Sequence, residues 1–221
     1  FDNDGWVDLY VSRANAPNAL YRNDGKRRAS PPPVPPNATS DPRAIAWSFT
    51  EVTKTAGVGE PYRSFPTWFF DYDNDGWLDI FAAGFDGAGI DAVAADYLGK
   101  RHPPGHPRLY RNRGNGTFED VTRAARIDRV LLTMGANFGD IDNDGWLDIY
   151  AGTGAPDFRT LMPNRMFRNS GVAAGGKPVF QDVTTAGGFG HLQKGHGIAF
   201  ADVDGDGDQD VYAVMGGWFT A

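Results

Sequence analysis

The chain of 221 residues contains no cysteine, which excludes disulfides, thiolate metal sites and a cysteine nucleophile. Glutamate is nearly missing as well: 25 of the 28 acidic residues are Asp, and the three Glu are Glu51, Glu60 and Glu119. Surface helices favour Glu over Asp, so little helix is expected, and short-armed acids in such excess read as loop ligands. No run of 18 apolar residues occurs, so no helical membrane span is expected in this segment. The four histidines carry no catalytic signature. His102 and His106 lie among Pro103, Pro104 and Pro107, which forbid the helix that a pair of zinc ligands four residues apart requires. His191 and His196 stand with Lys194 ahead of the last acidic loop and read as structural turn residues, with a pocket lining as the alternative. The net charge of −7 and the lack of a basic stripe with interleaved aromatics argue against a nucleic-acid partner. Lys26, Arg27 and Arg28 read as a solvated turn.

What the chain has in abundance is one acidic loop, written repeatedly. It appears as DYDNDGWLD from Asp71 to Asp79, DIDNDGWLD from Asp140 to Asp148, and DVDGDGDQD from Asp202 to Asp210. A fourth copy, FDNDGWVD, opens the chain at Phe1 without its first position, so the chain reads as starting inside a repeat. In the second copy Asp71, Asp73 and Asp75 alternate through a tight turn, Gly76 allows the backbone to reverse, Trp77 offers a carbonyl at position seven, and Asp79 closes the set from position nine. The equivalent ligands are Asp140, Asp142, Asp144, Trp146 and Asp148 in the third copy. They are Asp202, Asp204, Asp206, Asp208 and Asp210 in the last, and Asp2, Asp4 and Asp8 in the truncated one. An all-oxygen set without His or Cys favours Ca2+ over zinc or copper, and a flexible loop with many ligands favours it over magnesium. Three complete calcium sites and a fourth truncated one are therefore expected.

An EF-hand is excluded, because its bidentate Glu at position twelve is replaced by Ala82, Ala151 and Ala213. The segments after the loops, Leu78 to Ala82 and Leu147 to Ala151, alternate with a period of two and read as strands. Sixteen Asp lie within the four loops, and without them 12 acids face 21 bases. The negative charge thus belongs to the loops, and bound calcium would bring the chain close to neutrality.

The position-nine residues Asp8, Asp79, Asp148 and Asp210 are spaced 71, 69 and 62 residues apart, and each interval holds the same parts. After the loop strand come Ala19 to Asn23, Arg108 to Asn112 or Arg165 to Asn169. Next come Phe49 to Thr53, Phe118 to Thr122 or Phe180 to Thr184. A fourth segment, Phe65 to Phe70, Met134 to Phe138 or Gly195 to Phe200, leads into the next loop. Four strands per repeat of this length predict an all-β fold, a partial β-propeller of four-stranded blades with about three blades present. The repeats run approximately over 1–70, 71–139, 140–201 and an incomplete 202–221. Length varies where loops belong: a proline run at Ser30 to Pro36, a tight Gly114-Asn-Gly116 turn in the next repeat, and an insert near Phe85 to Pro107 with a short helix expected at Ile90 to Leu98. Trp6, Trp77 and Trp146 share one loop position and are expected to pack blade against blade, whereas Trp47 is expected to be exposed. The sequons at Asn37 and Asn115 are read as chance matches.

The repeats resemble the FG-GAP/VCBS type that builds integrin-α propellers. Longer segments, Asp96-Tyr-Leu-Gly99, Leu131 to Asp140, and His191 to Phe200 followed by Asp206-Gly-Asp-Gln-Asp210 and Val214 to Gly217, resemble the bacterial relatives of cartilage acidic protein, the ASPIC/UnbV group. That resemblance implies calcium loops in blade hairpins, a secreted, periplasmic or cell-surface location, and a role in adhesion or matrix. It also implies a C-terminal ASPIC/UnbV segment, which nothing after Gly217 represents. A propeller closes with four to eight blades, so this span alone is expected to form an arc, with further propeller repeats expected upstream. The function expected from the sequence is a non-catalytic calcium-binding module for a protein or glycan ligand. The alternative is a calcium-dependent, lyase-like enzyme acting on acidic polysaccharide.

Overall fold

The computed structural model describes residues 1–25, 47–85, 90–100, 106–153, 162–172 and 176–216. The proline run, the basic cluster at Lys26, the Asn37 sequon, His102 and Trp218 fall outside these residues.

Among the described residues thirteen strands form four antiparallel sheets. The first contains β1 (Leu9–Val11), β2 (Ala19–Asn23) and β3 (Phe49–Glu51), and the second contains β4 (Ser64–Phe70), β5 (Asp79–Gly84), β6 (Arg108–Asn112) and β7 (Phe118–Asp120). The third contains β8 (Thr133–Gly139), β9 (Asp148–Thr153), β10 (Arg165–Val172) and β11 (Pro178–Asp182), and the last pairs β12 (Gly195–Ala201) with β13 (Asp210–Met215). In both four-stranded sheets the strands lie side by side in chain order. These are propeller blades. The helices are short: α1 (Thr53–Ala56), which ends at Gly57 in the left-handed region, and α2 (Ile90–Tyr97) in the second-sheet insert.

The sequence period and the sheet are out of phase by one strand. Phe65 to Phe70, counted from the sequence as the last strand before the loop, pairs across that loop with β5, from Phe70 opposite Asp79 to Thr67 opposite Ala82. Each complete blade therefore begins with the strand leading into an acidic loop, and the loop is the turn of its first hairpin. The same holds for β8 with β9, where Gly139 faces Asp148, and for β12 with β13, where Ala201 faces Asp210.

The core lies between sheets. Phe70, Tyr72, Phe81, Leu109 and Ile127 from the second blade meet Ile149, Phe167 and Phe180 from the third. Trp68 stacks on Phe81 with ring centroids 4.6 Å apart. A second cluster joins Leu20, Val58 and Phe1 to Ile80, Tyr110 and Phe118. Strand β5 is buried along its whole length, as a strand covered on both faces must be. The third and fourth sheets approach so closely that a Cβ on Gly135 would lie 1.2 Å from the carbonyl oxygen of His196. Helix α2 turns Val93 onto Val130, Leu132 and Met162, and Asp96 pairs with Arg129 at 3.0 Å.

Candidate metal centres

Each acidic loop is fixed by its own backbone before any ligand is considered. In the second loop Asp71 accepts the N–H groups of Asp75 at 3.1 Å and Gly76 at 2.8 Å, folding the chain back over its first carboxylate. This reversal needs positive φ at two places. Asn74 supplies it at position four with φ 53°, and Gly76 at position six with φ 84°. Asp79 is fully buried and receives two N–H groups, from Tyr72 at 3.0 Å and from Asn112 on β6 at 2.7 Å. The third loop repeats this arrangement: Asp140 accepts from Asp144 and Gly145, and Asp148 accepts from Ile141 and Asn169.

The consequence is a convergence of carboxylates. Asp71, Asp73 and Asp79 bring oxygens within 4.8 Å of one another, as do Asp140, Asp142 and Asp148, and Asp202, Asp204 and Asp206. Burial pushes Asp79 up to about 8, against the N–H donors that hold it down, and pushes Asp148 up to about 6. Burial also raises Asp73, opposed by Arg111. Oδ1 of Asp73 is buried with no hydrogen-bond partner, although its side chain is only 6% exposed. An orphaned carboxylate oxygen beside two other carboxylates is costly unless a cation completes it, so these donors fit a hard divalent ion.

The remaining sequence-predicted ligands are placed differently. Asp75 and Asp144 stand outside the triads: Oδ1 of each accepts the N–H of Trp77 or Trp146 at 3.0 Å, and Oδ2 meets an arginine. Arg111 of β6 bridges Asp73 and Asp75, the latter at 2.7 Å, and Arg168 of β10 bridges Asp142 and Asp144, the latter at 2.9 Å. Asp2, Asp4 and Asp8 form no triad among the described residues; Asp8 accepts the Asn23 N–H at 2.8 Å. In the last loop Asp208 turns to Asn143 at 2.7 Å, and Asp210 accepts the Val203 N–H while staying exposed.

A family comparison settles what these repeats are. FG-GAP-like repeats match residues 1–82 and, overlapping them, 71–151. The chain belongs to the FG-GAP-like repeat family. No curated protein matches it. Among the described residues of this FG-GAP-like chain, no helix is long and apolar enough to cross a membrane.

Two features of the FG-GAP-like loops were missed from the sequence, and one was misplaced. The arginines were overlooked, although Arg22, Arg111 and Arg168 share one strand position; in the first repeat Arg22 pairs with Asp24 at 2.8 Å instead. Also overlooked was a ladder between loops: Asn3 donates to the Gly76 carbonyl at 3.2 Å, Asn74 to Gly145 at 3.0 Å, and Asn143 to Gly207 at 3.2 Å. The misplaced feature is the tryptophans. They pack within a blade, since Trp6, Trp77 and Trp146 cover Gly25, Gly114 and Gly171, where an added Cβ would sit 2.7, 2.9 and 2.8 Å from the indole. Gly114 follows β6 and Gly171 lies in β10, the third strand of each blade, so each ring covers a strand of its own blade. Trp47 is exposed and meets Trp6 edge-on at 5.6 Å.

Proposed function

We propose that the chain is a calcium-binding propeller module acting outside the cytoplasm as a non-catalytic scaffold for a protein or glycan ligand, as the ASPIC/UnbV resemblance implies. The observation that carries the reading is the repetition of one loop geometry, with three Asp triads and a buried position-nine Asp in each four-stranded blade. Calcium suits these triads because the donors are hard oxygens on a turn able to add carbonyls and water around a large ion. Loops with dissociation constants near the millimolar range fill where calcium is abundant, which favours an extracytoplasmic setting.

The loop shells are local to each hairpin, which supports a structural ion. His191 serves its turn through the main chain, donating to the Phe189 carbonyl and accepting from the Asn164 N–H, both at 2.9 Å. His196 lies in β12, its carbonyl against Gly135. Calorimetric titration of the metal-free chain tests the reading. The expected result is about one ion per triad with a rise in melting temperature. Binding absent at millimolar calcium would refute it.

A further inference from the structure

In the second and third loops an arginine from the next strand of the blade reaches into the acidic cluster. In the second and third loops the triad takes positions one, three and nine; in the last it takes one, three and five. Where position five is excluded, a guanidinium from the neighbouring strand holds its Oδ2, through Arg111 on Asp75 and Arg168 on Asp144. The arginine also takes one oxygen of the position-three carboxylate. In the second loop it leaves the other, the buried and unpartnered Oδ1 of Asp73, for the cluster.

Building on the calcium reading, we propose that Arg111 and Arg168 are positioning residues that act as resident counter-cations. Each withholds the position-five carboxylate from the ion and holds the position-three carboxylate by one edge, so that loops with the arginine bind calcium more weakly than the same loops without it. The physical reason is twofold. The guanidinium satisfies the carboxylates while no ion is present, which removes part of the repulsion that would otherwise drive metal uptake. It also places a positive charge beside a divalent one. At a separation of about 6 Å in a water-like dielectric, that repulsion weakens binding by about ten-fold.

The test uses the full chain with Asp142→Asn and Asp204→Asn silencing the other two triads, so that calorimetry reads the second loop. Arg111→Gln is expected to tighten calcium binding by about ten-fold while the metal-free melting temperature stays level or falls. Adding Asp75→Asn to Arg111→Gln should return most of the gain, because the released position-five carboxylate is then gone. An arginine with a purely structural role would lower affinity and stability together. Unchanged or weaker binding in Arg111→Gln therefore overturns this inference while leaving the calcium reading intact. Failure of the unsubstituted chain to bind calcium overturns both. Should Arg111→Gln not fold, Arg168→Gln gives the same reading in the third loop, with Asp73→Asn replacing Asp142→Asn; its side chain is 37% exposed and carries little packing.

Discussion

Filling the second loop with calcium should expel a proton from Asp79. Burial places this carboxyl at about 8 in the metal-free fold, so at pH 7 it is mostly protonated, whereas a calcium ligand must be ionised. Asp148, at about 6, is mostly ionised at the same pH. Saturation should then release protons at pH 7, more at pH 6 as Asp148 joins in, and few at pH 9. Calorimetry in two buffers of different ionisation enthalpy measures this count directly. The stability of the metal-free chain should follow the opposite course to its metal affinity. The folded state holds the Asp79 proton more tightly than the unfolded chain, whose carboxyl titrates near 3.8, so this group's contribution weakens as pH rises from about 4 to about 8. Calcium should reverse that trend by binding the ionised form. Release of no protons at pH 7, or a release that persists undiminished at pH 9, would refute the argument.

Two further outcomes concern the fold. Asn112→Ala removes a buried side chain that donates to the Leu78 carbonyl at 3.0 Å and the Phe1 carbonyl at 2.8 Å and accepts the Gly114 N–H at 2.9 Å. Urea melts should show a loss of about 2–4 kcal/mol, and a loss below about 0.5 kcal/mol would mean the contacts are dispensable. Gly135→Ala puts a methyl group onto the His196 carbonyl, so hydrogen exchange should accelerate across β12 and β13 and stay unchanged in β4 to β7. Uniform acceleration across both regions would contradict a local effect.

Much of this structure could be read from the sequence, because metal loops and glycine turns punctuate it so heavily. Segments such as Ala19–Asn23 and Arg108–Asn112 emerge with the bounds expected, and the helix at Ile90 is one residue shorter than expected. The phase of the blade did not emerge. A repeat in sequence marks a period and not a boundary; the pairing of Phe70 with Asp79 puts the loop in a hairpin, as the resemblance implied, and makes that hairpin the first of its blade. Three of the loop carboxylates, at positions one, three and nine, converge in two loops as the spacing implied. Position five does not, because its partner Arg111 lies 36 residues away and spacing within a loop is blind to a charge brought in by a neighbouring strand. The tryptophans were misplaced for a similar reason: a shared position shows that a role recurs, but not which side of the blade it serves. Glycines at the corresponding turns, Gly25, Gly114 and Gly171, were the available signal.

The asparagine ladder gives the array a direction. Every rung runs from position four of one loop to the position-six carbonyl of the next, so each loop both offers a donor and presents an acceptor, and any loop with both can follow any other. Such a joint is indifferent to how many times it is used, and whole repeats can be added or removed without redesigning their neighbours. The exception is Gly205, which stands at position four of the last described loop and has no side chain to donate.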